Sequence, residues 1–248
     1  MGAVQETFKR VEKKYIITDK QCKELVRRMS DMMEPDKYGE TTICNIYYDT
    51  PSHRLVRTSM EKPVYKEKLR IRSYGVPGKD SKVFVELKKK YKGVVYKRRV
   101  DMTLEESYEF INFGENPGKN PQIEREIAYV LDYYKGIAPA MYLSYDRIAF
   151  AGKNNPDLRI TFDSNITYRE EEMRLEKGIY GEKLLDDNIR IMEIKIPGSM
   201  PLWLSALLDE LKIYPGSFSK YGTAYQRAHS PLHNSKNENE KGKVNNCA

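Results

Sequence analysis

Residues 65–74 read YKEKLRIRSY, with Lys66, Lys68, Arg70 and Arg72 at every second position and Leu69 and Ile71 between them. Successive side chains of a β-strand point to opposite faces, so this stretch is a strand with one cationic and one apolar face. Val83–Tyr91 follows the same rule, with Glu86, Lys88 and Lys90 against Val83, Val85 and Leu87. A turn at Lys92-Gly93 leads into Val94–Met102, where Lys97 and Arg99 share a face. Upstream, Thr7–Ile17 sets Arg10, Glu12 and Lys14 against Val11, Tyr15 and Ile17. Downstream, Met141–Phe150 sets Tyr145 and Arg147 against Ile148 and Phe150. Leu158–Asp163 sets Arg159, Thr161 and Asp163 against Leu158, Ile160 and Phe162, and Ile189–Ile196 sets Glu193 and Lys195 against Met192, Ile194 and Ile196.

Between these strands lie helical stretches. Thr18 and Gln21 form a capping-box pattern at a helix start, and Leu25, Val26, Met29, Met32 and Met33 give that helix an apolar stripe. Thr42–Tyr48 reads as a further strand, followed by a short helical turn from Pro51. Helices are expected near Leu104–Phe113 and Pro121–Tyr134, after Pro201 as far as Lys212, and from Ser219 to Ala228. The expectation is an α+β fold: an antiparallel sheet of about eight strands closed into a barrel, with helices packed outside. The folded domain spans residues 1–228. Residues 229–248 (HSPLHNSKNENEKGKVNNCA) hold too little apolar surface to offset their ordering entropy and read as a disordered polar tail.

Composition narrows the chemistry. The chain has 248 residues, 43 Lys plus Arg and 36 Asp plus Glu, for a net charge of +7. No run approaches a membrane span and the N-terminus carries no apolar signal segment, so a cytoplasmic protein is expected. Cys22, Cys44 and Cys247 show no pairing pattern. His53, His229 and His233 are too few for a His-based zinc centre or a Ser-His triad, and no Walker A, G-x-G-x-x-G or G-x-S-x-G pattern occurs. The chemistry falls to Lys, Arg, Glu and Asp.

A solvated sheet face mixes Thr, Ser, Gln and Lys. Here strand after strand carries Arg, Lys and Glu, and like charges opposed across strands are destabilising unless neutralised. If the apolar parity faces the helices, the charged parity lines the lumen of the barrel, whose walls focus a positive field on a linear polyanion. Carboxylates within that lining suit Mg²⁺ or Mn²⁺, which take oxygen ligands and share them with substrate phosphates. No aromatic platform recurs on the charged faces, which argues against nucleic acid.

In order along the chain, FKRVEKKY, NIYYDT, EKLRIRSYG, VFVELKKK, VVYKRR, YDRIAF, LRITFD, IMEIKI, PLWL and SFSKYG resemble the triphosphate tunnel metalloenzymes, and within them the catalytic domain of vacuolar transporter chaperone (VTC) polyphosphate polymerases. The resemblance runs from about Phe8 to Ala228. It implies an eight-stranded antiparallel tunnel that transfers the γ-phosphate of ATP to a growing polyphosphate chain, with manganese or magnesium as cofactor. Carried over by position, Arg70, Arg72, Lys88, Arg147 and Arg159 are the catalytic cations. Lys14, Lys97, Tyr145, Ser219 and Lys220 bind substrate phosphates, and Glu193 holds the metal. The wider superfamily opens with E-x-E-x-K, where this chain has Arg10, Glu12 and Lys14; that favours the polymerase branch over the triphosphatases. Eukaryotic members can carry Lys at the position of Ser217. A metal-dependent triphosphatase and a non-enzymatic polyphosphate-binding barrel are the competing readings.

Other residues are ambiguous at this level. Glu12 and Glu86 each either position a cation or touch metal, and Arg10 is either a tunnel cation or a partner of Glu12. Asp163, at an expected strand end, stabilises a turn. Asp49 is structural, and Trp203 packs a helix on the barrel. Removing Arg72 is expected to relieve repulsion and leave the fold at least as stable as before.

Overall fold

The computed structural model describes residues 10–92 and 94–230. Phe8, Lys9, Gly93 of the expected hairpin turn, and the tail from 231 onward with His233 and Cys247 lie outside the described residues, as does the side chain of Arg10.

In chain order the elements are β1 (Arg10–Thr18), α1 (Asp19–Met29), β2 (Met33–Pro35), β3 (Thr41–Asp49), α2 (Arg54–Met60), β4 (Tyr65–Tyr74), β5 (Lys82–Tyr91), β6 (Val94–Thr103), α3 (Leu104–Phe113) and α4 (Pro121–Tyr133). There follow β7 (Ala138–Gly152), β8 (Arg159–Arg169), β9 (Glu182–Lys183), β10 (Ile189–Pro197), α5 (Leu202–Glu210) and α6 (Lys220–Ala228). The fold is α+β, and β1 with β10, β10 with β8, β3 with β4, β4 with β5 and β5 with β6 pair antiparallel. The chain forms two compact units, and β3, β7 and β8 each contribute residues to both.

The first unit holds residues 10–42, 145–166 and 185–218. Its strands pair in the order β1-β10-β8-β7, with β2 against the end of β7. The predicted capping box is present: the Thr18 hydroxyl accepts from Gln21 N, and the Gln21 side chain accepts from Thr18 N. Tyr15 and Ile17 of β1, Ile160 and Phe162 of β8 and Met192, Ile194 and Ile196 of β10 form one core with Leu25 and Met29 of α1 and Leu204 and Leu207 of α5. Trp203 packs on this core, as expected. The apolar stripe expected through Met33 is cut short. Helix α1 stops at Met29, Met32 is 41% exposed, and Met33 reaches the core from β2 instead. Strand β8 also runs past Asp163, because Asn165 takes a positive φ of 49° and the strand resumes beyond it.

The second unit holds residues 43–144, 167–184 and 219–230. Its strands pair in the order β3-β4-β5-β6, and β9 pairs with β8. Leu69 and Ile71 of β4, Val83, Val85 and Leu87 of β5 and Val100 and Met102 of β6 meet Leu104 and Phe110 of α3 and Ile127 and Val130 of α4. The apolar parity therefore does face the helices. Leu69→Ala removes a fully buried side chain from this core and is expected to cost about 2–5 kcal/mol, read as a lower midpoint in urea denaturation. Lys88→Ala, on the opposite face, should leave the midpoint in place.

Asp49 is structural, as read. Its carboxylate accepts from the amides of Thr50, Leu55 and Val56 and from the Tyr221 hydroxyl, which ties the start of α2 to α6. Arg169 is a tie that local sequence does not reveal. It is 6% exposed, donates to the carbonyls of Glu172, Arg174, Gly178 and Tyr180, and stacks on Tyr142 and Tyr180. Among the described residues, no helix is long and apolar enough to cross a membrane.

Candidate functional site

In the second unit, register brings the cations into cross-strand rows. Lys68, Lys88 and Lys97 are directly opposed on β4, β5 and β6, and the next row is Tyr47, Arg70, Glu86 and Arg99. Glu86, 1% exposed, is the hub. Its Oε2 accepts from Arg70 Nε at 2.8 Å and lies 3.8 Å from Arg72 Nη1. Its Oε1 lies 2.9 Å from Lys97 Nζ and 3.3 Å from Arg99 Nε. Burial alone would push this carboxyl up; the charges of Arg70, Arg72 and Lys97 outweigh it and hold the group far below the usual carboxylate range. Glu86 thus positions cations, the first of its two sequence readings.

Two residues of β3 complete the cluster. Arg70 Nη1 donates to the Tyr47 hydroxyl at 3.0 Å, and Arg72 Nε donates to Asn45 Oδ1 at 3.0 Å. Neither Asn45 nor Tyr47 was singled out from sequence. The signal was there: they share one parity of NIYYD, and an Asn inside an apolar strand wants a partner. Burial raises the Tyr47 phenol, but Arg70, Lys68 and Arg72 outweigh that and bring it down to about 8. Ser219 is the N-cap of α6; its hydroxyl accepts from Gly222 N and from Lys68 Nζ at 3.0 Å, and Lys220 opens the helix beside it.

Arg72 corrects an expectation. It is 7% exposed and satisfies a buried amide oxygen, so Arg72→Ala strands Asn45 rather than merely relieving repulsion. A thermal melt should show a loss of about 1–3 kcal/mol.

The first unit carries a second cluster. Lys14 of β1, Glu193 of β10 and Thr161 of β8 are opposed in one row, and Glu12, Lys195 and Arg159 in the next. Glu193 lies 2.8 Å from Lys195 Nζ and 3.8 Å from Lys14 Nζ, and Lys14 Nζ donates to Phe218 O at 3.1 Å. Burial would raise the Glu193 carboxyl, but Lys195, Lys14 and Arg147 pull it well below its ordinary value. Glu12 sits 4.0 Å from Lys14, and Arg159 4.0 Å from Asp36. Asp163 does not stabilise a turn: mid-strand in β8 and 1% exposed, it accepts both Arg147 Nε at 2.6 Å and Arg147 Nη2 at 2.8 Å. Arg147 also lies over the ring of Tyr145, 5.2 Å from its centroid.

The predicted site residues therefore fall into two groups. Arg70, Arg72, Lys88, Lys97, Ser219 and Lys220 are in the second unit; Lys14, Tyr145, Arg147, Arg159 and Glu193 are in the first.

The VTC domain model matches residues 9–229, which include all of these positions. This chain belongs to the VTC family. From Lys9 onward, the match spans the motifs on which the sequence resemblance rested. Among solved structures, a candidate adenylate cyclase from Bacillus halodurans aligns with TM-score 0.53 and 12% identity over 85% of this chain and 93% of its own. A candidate adenylyl cyclase from Hippeastrum, described as having a dominant triphosphatase activity, aligns with TM-score 0.53 and 16% identity over 90% and 98%. These likenesses establish a shared fold. Among curated proteins, none matches the sequence.

The VTC resemblance implies a divalent metal at Glu193. Among the described residues, no group of three His, Cys, Asp or Glu side chains could hold an ion unaided. Beside Glu193, however, the buried Thr161 hydroxyl has no hydrogen-bond partner among the described residues. One carboxylate and one spare hydroxyl are the wrong set for structural zinc. They fit Mg²⁺ or Mn²⁺, which fill their shell with water and substrate phosphate oxygens.

Proposed function

We propose that this VTC domain is a polyphosphate polymerase that transfers the γ-phosphate of ATP to the end of a polyphosphate chain. The observation that carries the reading is the opposed row Lys68, Lys88 and Lys97 set against the row Arg70, Glu86 and Arg99. Cations so placed across strands repel one another beyond what Glu86 offsets, and a linear phosphate chain adds negative charge along both rows. The arginines grip phosphate oxygens with a planar fork, while the lysines act as point charges. Lys14, Arg147 and Arg159 serve the same purpose in the other cluster, and Tyr145, Ser219 and Lys220 add phosphate contacts.

The terminal phosphate oxygen of the acceptor is already ionised at neutral pH, so its in-line attack on the γ-phosphorus needs no general base and no covalent enzyme intermediate. The protein's part is to position both phosphates and neutralise their oxygens. Glu193, with Thr161 beside it, would hold Mg²⁺ or Mn²⁺, which supplies charge neutralisation at the transferring phosphate.

Incubating the pure protein with ATP and Mn²⁺ and following ³¹P NMR tests the reading. Internal-phosphate signals from chains are expected; orthophosphate as the sole product would make it a triphosphatase. A non-enzymatic binder would leave ATP unchanged. Tripolyphosphate should also stabilise the fold by about 2.7 kcal/mol at one hundred times its Kd, read as a higher melting temperature. The increment should shrink as salt rises and the screening length falls to about 8 Å near 0.15 M.

A further inference from the structure

The cationic face of β4 and β5 does not end at the row of Lys68, Lys88 and Lys97. One step nearer the start of β4, Lys66 and Lys90 are directly opposed, with Val95 of β6 next in the row. Side chains two residues apart on a strand share a face, roughly 7 Å from one another. Lys66, Lys68, Arg70 and Arg72 therefore form one line on β4, and Lys88 and Lys90 flank its beginning.

The two ends of that line differ in charge. Around Glu86, four cations (Arg70, Arg72, Lys97 and Arg99) share one carboxylate. At the other end, Lys66, Lys88 and Lys90 have no carboxylate partner among the described residues. Glu67 follows Lys66 in sequence but does not serve them. It has the helix-facing parity of Leu69 and Ile71, is 7% exposed, accepts the Tyr65 hydroxyl and lines a cavity with Tyr133 of α4. Burial, and then the charges of Lys90, Lys88 and Lys62, push the Lys66 ammonium below its ordinary value. Lys66 Nζ donates to Ser59 O in the last turn of α2 at 3.1 Å. An ammonium carries three hydrogens, so two remain, and a carbonyl does not cancel the charge. Like charges opposed across strands are destabilising, and an anion from outside the chain would relieve them.

The residue types differ as well. Arginine holds a phosphate in one orientation through its planar fork, whereas lysine attracts it as a flexible point charge. The first suits a phosphoryl group that must be aligned for transfer, the second a chain that must move on after each addition.

We propose that Lys66 and Lys90 form a chain subsite: the body of a polyphosphate longer than a triphosphate lies over this lysine end, with its reacting terminus toward Arg70 and Arg72. This rests on the phosphoryl-transfer reading and makes Lys66 and Lys90 determinants of chain length.

Isothermal titration of the full chain without divalent metal tests it, with ATP and a size-fractionated long polyphosphate as ligands. At low salt, Lys90→Met should weaken long-chain binding roughly threefold and the Lys66→Met, Lys90→Met pair roughly tenfold, with ATP affinity unchanged. The slope of log affinity against log salt for the long chain should flatten by about 0.7 per lysine removed, as for a single-stranded nucleic-acid backbone. Melting curves check folding. Lys90 has no hydrogen bond or ion pair to lose among the described residues, so Lys90→Met carries the test alone if Lys66→Met loosens α2. The proposal is overturned if folded Lys90→Met binds the long chain as wild type does, or if ATP and the long chain weaken together, which would put the lysines in a common phosphate site. Wild type that binds ATP but no long chain also overturns it and leaves ATP as a substrate. Wild type that binds the long chain yet leaves ATP intact with Mn²⁺ overturns phosphoryl transfer instead, and the variants still decide the subsite.

Discussion

Glu86→Ala should be the most destabilising single change in this domain, costing about 3–5 kcal/mol. Removing one partner of a buried ion cluster leaves the others uncompensated, and here Arg70, Arg72, Lys97 and Arg99 all lie within 4.0 Å of that carboxylate. For a chain of this size the melting temperature should fall by roughly 10 °C. Glu86→Gln, which keeps the volume, should fall nearly as far. Tripolyphosphate should then rescue the variant by a larger increment than it adds to wild type, because an external anion replaces the lost charge. An unchanged melt in Glu86→Gln would show that the four cations do not depend on Glu86.

The same carboxylate sets a pH dependence. Its folded-state value lies below the ordinary 4.5, so the unfolded chain takes up the proton first as pH falls. The stabilisation is fully present above about pH 5 and drains away as pH drops below 4.5 toward the folded value. In Glu86→Gln that acid limb should flatten, which a series of urea melts from pH 6 to pH 3 would register.

Glu193→Gln should have the largest effect on turnover with the least effect on binding. The substitution keeps size and removes the charge that faces Lys195 and Lys14. With the carboxylate gone, turnover in Mn²⁺ should fall on the order of 10²–10³-fold, by analogy with loss of one preorganised group at developing charge. Tripolyphosphate affinity should hold or improve, since a negative group has left a cationic cluster. Near-normal turnover with the usual Mn²⁺ requirement would remove Glu193 as the metal ligand and leave it as a counter-ion of Lys14 and Lys195.

Arg147 and Asp163 show where sequence reading stops. Arg147 was found by parity, because alternation is a property of any strand. Asp163 was placed at a strand end, because the apolar alternation was read only from Leu158 to Asp163; the strand instead passes through the positive φ of Asn165, and Asp163 becomes the buried clamp on Arg147.

What the sequence by itself determined was which side chains share a face. Backbone pleating puts Lys68, Arg70 and Arg72 on one side of β4 and Leu69 and Ile71 on the other, whatever lies around them. The Thr18 capping box was legible for the same reason, being complete within four residues. Partners depend on register and packing between segments far apart in the chain, and only the tertiary structure decided those. It made Glu86 the hub of four cations and left Glu193 beside a spare Thr161 hydroxyl, although both glutamates sit in similar strand patterns. It also brought Glu67 and Tyr133 to the lining of one cavity across sixty-six residues of chain. A residue's face follows from local geometry, but its role follows from what the fold sets opposite it.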